Sequence, residues 1–388
     1  MIKTISRRSL PAHMSKRTFL YSFVLVISFI LFRAVPVFGQ SAEVSTYRRL
    51  IAEGLASLQR GDHRAARDSF EEALRYLDTD AAAHLGLGVA SFHLKDDRTA
   101  ERELLRAVEL KPGEKTAHLV LGDLAYRKDD LVAAAAHWEK AVEIDPSDGA
   151  LKARLERIRR EHRAEKDFNR DVTSHFSIKY EGREKIEAGR IVLRILEDVY
   201  GEIGRALSFY PQQEIAVILY SNQQFQEVTD APGWSGGIYD GKIRIPIGGI
   251  ERETPGLRRL LVHEYTHAVV RAITRRVPTW LNEGLAQYFE GRELDPRQKE
   301  MIGRLARSGK MPSLRDLEGS YLGLNSREAS IAYTISLSAT VHFVDRYGMY
   351  RVKMVLEELS TDGDTAHAID RTLLMSYDDF ERGWIRSL

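Results

Sequence analysis

The chain has 388 residues, room for two or three separately folded units. Its 57 basic and 56 acidic side chains leave a formal net charge of +1, a balance that gives no reason to expect a nucleic-acid or other polyanionic partner. There is no cysteine, which excludes disulfides, thiolate metal ligands and a cysteine nucleophile, so any metal site is built from His, Asp and Glu.

Residues 1–39 read as an export segment. Arg7, Arg8, Lys16 and Arg17 form a basic stretch, the run Phe19 to Phe32 is apolar, and Val37 and Gly39 fit a signal-peptidase cut after Gly39. An uncleaved membrane anchor is the competing reading. The apolar run is short of the ~20 residues a spanning helix needs, and Arg33 interrupts its far end. Under either reading the remainder is exported, periplasmic or extracellular, and membrane contact is confined to this segment if it stays uncleaved.

Residues 40–148 carry an internal repeat. Gly54, Gly88 and Gly122 recur every 34 residues, Ala66, Ala100 and Ala134 hold the same register, and so do Ala73, Ala107 and Ala141. Phe70, Leu104 and Trp138 place a bulky group at one phase, while Pro112 and Pro146 close the second and third units; Asp78 stands where the first would have proline. Small residues let two helices approach and the bulky one fills the gap to the next, the logic of a stacked helical hairpin. Period and pattern resemble the tetratricopeptide repeat (TPR), which implies an α-solenoid of three helix pairs. In that register Leu58, Phe92 and Tyr126, with Arg48, Asp123 and Arg127, face a concave groove for a peptide or protein partner, or else the aromatics pack between helices. His84 and His118 fall at equivalent positions and read as packing residues. Residues 149–168, rich in Arg, Lys and Glu with Leu151, Leu155 and Ile158 on one side, read as a charged capping helix.

Residues 169–388 change in texture. His175 to Tyr180 alternates like a strand, Ile186 to Leu207 has a helical period, and Glu214 to Tyr220 reads as a buried strand. Gly233 to Pro246 is glycine-broken, turns at Asp240-Gly241 and suits a sheet edge. Helical patterns follow, so the expected fold is an α-solenoid followed by an α+β domain.

The chemistry centres on His263-Glu264-Tyr265-Thr266-His267, inside a helix expected over Leu257 to Ile273. Histidines at i and i+4 project from one face, so both imidazoles can reach one ion. Glu264, beside the first, can hold the water that a metal polarises. The alternative, two surface histidines without a metal, sits poorly with the apolar flanks Leu260 to Val262 and Ala268 to Val270: burial of unpartnered polar groups costs on the order of 2 kcal/mol each. Trp280-Leu281-Asn282-Glu283-Gly284-Leu285-Ala286 opens the next helix and offers the carboxylate that a His-His pair lacks.

The two motifs in this order, over roughly residues 170 to 350, resemble the gluzincin zinc metallopeptidases: thermolysin-like and M1-aminopeptidase-like enzymes, and most closely the smaller bacterial peptidase MA-like domains. The resemblance implies one zinc ion per chain on His263, His267 and Glu283, with Glu264 as general base and acid. Gln287 stands where thermolysin-like enzymes carry an aspartate that orients a zinc histidine, and an amide could accept the same hydrogen bond. Tyr333, in Ala332-Tyr333-Thr334-Ile335-Ser336, resembles the tyrosine that stabilises the oxyanion in M1-like enzymes; its alternative is a tyrosine packed in a helical core, with His342 as the outside candidate. By the same resemblance Gly236, Gly237 and Ile238 would pair with an extended substrate, the alternative being an ordinary exposed hairpin. The function implied is zinc-dependent peptide-bond hydrolysis, with endopeptidase preferred because no amine anchor of the aminopeptidase kind is visible. A TPR scaffold or chaperone of the cell envelope, its zincin domain inactive, is the rival.

Overall fold

A computed structural model describes residues 42–229, 236–246, 250–361 and 363–388. The expected export segment and Gly233 to Ser235 lie outside them. The chain divides into two compact units between Arg159 and Arg160.

The first unit is a run of helices paired as the repeat predicts: α1 (Ala42–Arg60) with α2 (His63–Tyr76), α3 (Ala81–His93) with α4 (Asp97–Leu110), and α5 (Lys115–Arg127) with α6 (Leu131–Ile144). The second helix of each pair begins after an aspartate, Asp62, Asp96 or Asp130, whose carboxylate accepts from the backbone N–H three residues on. That cap satisfies one of the orphan donors of the first turn. The repeat glycines make room for the bulky residue at its phase; a Cβ on Gly122 would lie 2.3 Å from the Trp138 ring. His84 and His118 each place Nε2 against the carbonyl oxygen six residues back, at Asp78 and Pro112, and so pin the turn before their helix. The aromatic residues of the expected groove pack between helices. Phe92 and Leu58 lie on the apolar cluster of the middle unit, and Arg127 stacks on Phe92 at 4.3 Å while pairing with Asp97 at 2.7 Å. Asp123 pairs with Arg154 at 2.7 Å on α7 (Gly149–Glu165), the capping helix, whose Leu151, Leu155 and Ile158 cover Trp138.

The second unit carries a five-stranded sheet in the order β1-β2-β3-β5-β4. The strands are β1 (Phe168–Val172), β2 (Phe176–Glu181), β3 (Ile215–Tyr220), β4 (Ile238–Tyr239) and β5 (Ile243–Pro246). The pairs β2–β3 and β3–β5 are parallel, and the flanking pairs β1–β2 and β4–β5 are antiparallel. Phe168 therefore opens a strand rather than ending the capping helix. The sequence Phe168–Val172 does not alternate because it is an edge strand, exposed along most of its length.

Helix α8 (Ile186–Leu207) packs its apolar face on β2 and β3, and α10 (Pro255–Ile273) lies in the same core through Leu257, Leu261, Tyr265, Ala268 and Val269; the short α9 (Asn222–Thr229) follows β3. A second core gathers α11 (Thr279–Phe289), α12 (Pro296–Arg307), α13 (Ser326–Tyr347), α14 (Met349–Leu359), α15 (Thr365–Leu373) and α16 (Tyr377–Arg386) around Trp280, Phe343, Phe380 and Trp384. Arg244 of β5 is fully buried. Its guanidinium reaches Glu161 at 3.0 Å, Glu165 at 3.5 Å and Asp240 at 3.2 Å, and donates to Tyr220 Oη at 2.6 Å. Replacing Arg244 would strip the buried Glu161 and Glu165 carboxylates of the guanidinium they share, at a cost of about 3–5 kcal/mol, so the network fixes the β4–β5 hairpin in place.

Candidate metal centre

Helix α10 begins at a Thr254 cap followed by Pro255, a combination that sets its first turn. Its apolar face enters the core, which leaves His263 and His267 on the opposite side, one turn apart, with ring centroids 4.8 Å from each other. Helix α11 brings Glu283 across. The Nε2 atoms of His263 and His267 each lie 3.7 Å from Glu283 Oε2, and the three ligand atoms sit within 4.8 Å of one another. Two ligands bonded to one tetrahedral ion at 2.0–2.2 Å stand about 3.4 Å apart, so the spacing matches a shared ion better than direct hydrogen bonds.

The approach of α11 to its neighbour is set by a glycine. A Cβ on Gly284 would meet Thr340 Oγ1 at 2.0 Å and the Ser336 carbonyl oxygen at 2.4 Å on α13. Only a residue without a side chain lets the two helices close at that point, and the same contact presents Glu283 on one helix beside Tyr333 on the other.

Glu264 is buried next to the ligands. Burial is the main reason its carboxyl is raised to about 7, helped by Glu283 and opposed by His263 and by the backbone N–H of Tyr239. That N–H belongs to β4, and a Cβ on Gly237 would stand 3.3 Å from the Glu264 side chain and 3.1 Å from Leu260. The edge segment thus runs directly over the base, with Ile238 and Tyr239 paired to β5 and the Tyr239 N–H turned to Glu264. Gly236 and Gly237 lie at its start, Gly236 exposed and Gly237 buried against Leu260 and Glu264.

Burial draws the His263 imidazole down, but the carboxylates of Glu283 and Glu290 outweigh it and hold it at about 10. His267 is lowered, by burial above all. Glu283 is pushed up by burial, yet His267 and His263 keep it below the ordinary range. Two imidazoles enclosed by Glu264, Glu283 and Glu290 make a negative cage for a cation. The nitrogen and carboxylate donors suit zinc.

Glu290, at the end of α11, is the residue that sequence reasoning missed. Its Oε2 lies 3.2 Å from His263 Nδ1, and its Oε1 lies 3.7 Å from Arg292. Nothing in its spacing from either motif marks it. Gln287 does not do the work expected of it: its amide donates to the carbonyl oxygens of Glu283, at 3.2 Å, and Tyr333, at 3.0 Å. It ties α11 to α13 instead of touching a ligand histidine.

Tyr333 is half-buried, edge-on to Tyr321 at 5.5 Å. Burial first, then Glu283, Tyr321 and Glu264, raise its phenol. Tyr321 feels Glu283 as well, but its hydroxyl is committed to Ser336 Oγ at 2.8 Å. His342 sits edge-on to Tyr347 and Phe380 and meets Ser387 Oγ at 3.1 Å, in the second helical core.

Comparison with known families places residues 203–386 in the Peptidase MA superfamily and finds tetratricopeptide repeats over 51–115 and 98–149. No curated protein matches the chain. Among solved structures it is similar to the first TPR of Spaghetti (RPAP3) bound to an HSP90 peptide, with 20% identity over 30% of this chain and 93% of that one and a TM-score of 0.29. The first TPR domain of human RPAP3 gives 20% identity over 29% and 90%, with a TM-score of 0.28. A mutant of Thermobaculum terrenum O-GlcNAc transferase gives 14% identity over 58% and 45%, with a TM-score of 0.29. The chain is thus a tetratricopeptide-repeat protein that carries a peptidase MA superfamily domain.

Proposed function

We propose that this protein is an exported zinc-dependent peptidase, whose repeat array recruits a protein partner or substrate. The observation that carries the reading is the convergence of His263 Nε2, His267 Nε2 and Glu283 Oε2 within 4.8 Å beside the buried carboxylate of Glu264. Zinc held by those three residues would supply Lewis-acid activation of water and polarisation of a scissile carbonyl.

The chain's own residues do the rest. An extended substrate lies beside β4, near Glu264, because Gly237 lets the edge segment sit close on Leu260 and Glu264. Glu264 takes a proton from the attacking water and delivers it to the leaving amine as the C–N bond breaks. The Tyr239 N–H holds the carboxylate in position for both transfers. Tyr333, raised on a helix beside Glu283, donates to the oxygen on which negative charge develops. Glu290 keeps the proton of His263 on Nδ1, leaving Nε2 as the donor atom.

The test is a zinc determination on purified protein, followed by digestion of a peptide library with and without chelator. Close to one zinc per chain and chelator-sensitive cleavage that Glu264→Gln abolishes are the expected results. Cleavage that survives both chelator and Glu264→Gln would end the reading.

A further inference from the structure

A cavity of about 490 Å³ opens beside the metal cluster, lined among the described residues by Gly256, Arg259, Leu260, Glu290 and Arg292. Two of its walls are also walls of the centre. Leu260 lies one turn before Glu264 on α10 and touches the edge segment at Gly237, while Glu290 faces His263 at 3.2 Å. A chain laid along the edge segment would pass Leu260, one of the residues that line this cavity.

Among the described residues that line it, the cavity carries two arginines against one carboxylate. Glu290 has both oxygens engaged, Oε2 by His263 and Oε1 by Arg292 at 3.7 Å. Arg259 is exposed, and no carboxylate among the described residues lies within ion-pair distance of it. The preceding Arg258 shows the contrast: it points the other way, to Glu202 at 2.5 Å and Glu253 at 3.9 Å. A lining of aliphatic Leu260 and two guanidinium groups, one of them without a carboxylate partner among the described residues, is the chemistry that recognises a carboxylate on a short aliphatic stem.

We infer that this cavity is a specificity subsite for an acidic substrate side chain, Asp or Glu, close to the scissile bond, with Arg259 as the principal determinant and Arg292 as its second. The inference rests on the peptidase reading for its meaning, but the cavity's charge preference is measurable without turnover. A lysine in the same place meets like charge, so the selection works by repulsion as well as attraction.

The experiment uses fluorescent peptides that differ only in carrying Asp, Ala or Lys at one position, scanned across the positions around the cleavage site. Binding to zinc-loaded Glu264→Gln protein is read by anisotropy, and cleavage by the wild type is read as kcat/KM. At one position Asp should exceed Lys by about tenfold or more in affinity, the scale of a charge-assisted contact, and the ratio should shrink with added salt. Arg259→Glu, a change at an exposed position, should invert that ratio. Equal binding of the three peptides at every position, or an Asp preference that Arg259→Glu leaves intact, overturns the subsite. Charge-selective binding that Arg259→Glu inverts, in a wild type that cleaves nothing, upholds the subsite and ends the peptidase reading.

Discussion

His263 is held from both sides: its Nε2 faces Glu283 at 3.7 Å, and its Nδ1 faces Glu290 at 3.2 Å. A carboxylate on the far nitrogen fixes the tautomer and ring angle of a ligand histidine and raises its basicity. Glu290→Gln should therefore weaken zinc binding by roughly 10- to 100-fold, measured by competition with a chelating dye. Gln287→Ala should change zinc affinity far less, because that amide bonds only backbone carbonyls. If the two variants lose zinc equally, the orienting role does not belong to Glu290.

Glu264→Gln keeps size and polarity and loses the ability to carry a proton. Zinc content should stay near wild type, while kcat falls by about 10²-fold or more, which is about 2.7 kcal/mol of barrier. His267→Ala should instead lose the zinc itself. Metal analysis beside single-turnover rates separates the two effects.

The pair of motifs and the repeat register were legible because each is a local pattern. The spacing of four between His263 and His267 puts them on one face of any helix, and the 34-residue period survives its substitutions. Helix α8 and strand β3 were legible for the same reason: their apolar periods are unbroken over Ile186–Leu207 and Ile215–Tyr220. Glu290 was not, since its partner lies 27 residues away and only the fold of α11 against α10 brings them together. Nor was the Arg244 cluster, whose partners Glu161 and Glu165 come from a helix that reads as solvated. The aromatic residues of the repeats showed a third limit. Periodicity places Phe92 on the inner helix of its unit, but it does not reveal that Arg127 stacks on it.

The repeats carry a titratable pair. His118 Nδ1 and His137 Nδ1 are 3.4 Å apart, and His137 is lowered from its ordinary 6.5 by burial first and by His118 second, with Glu101 opposing. Above 6.5 His137 is neutral in both states and contributes no pH dependence. As the pH falls through 6.5 the unfolded chain binds a proton that the folded one refuses, so stability drops and levels off below the folded value. Thermal melts of the full chain at about pH 7.5 and about pH 5 should show a larger loss for wild type than for His137→Asn. Equal losses would mean that His137 is not a source of the acid sensitivity.

Tyr333→Phe removes a donor and leaves the ring against Tyr321. If the hydroxyl serves the developing oxyanion, kcat falls by about 10²-fold while KM and zinc content hold, because that hydrogen bond is strongest in the transition state. A loss of melting temperature with kcat unchanged would make it a packing residue instead.

Gly284 tests whether helix spacing builds the centre. A methyl group there would lie 2.0 Å from Thr340 Oγ1 and 2.4 Å from the Ser336 carbonyl oxygen, well inside van der Waals contact. The Thr340 side chain can rotate away, but the Ser336 oxygen is backbone and moves only with α13. Gly284→Ala should therefore push α11 off α13 and destabilise the domain by about 1–3 kcal/mol, the usual cost of overpacking. Glu283 is the adjacent residue, so the displacement should also reach the cluster it forms with His263 and His267. Zinc affinity, measured by chelator competition at a temperature where the variant is fully folded, should fall although no ligand has been changed. Thr340→Ala in the same chain removes one of the two clashes and should recover part of the melting temperature. Wild-type zinc affinity in a destabilised Gly284→Ala variant would show that Glu283 is positioned by α10 alone, and that the approach of α13 serves packing rather than the site.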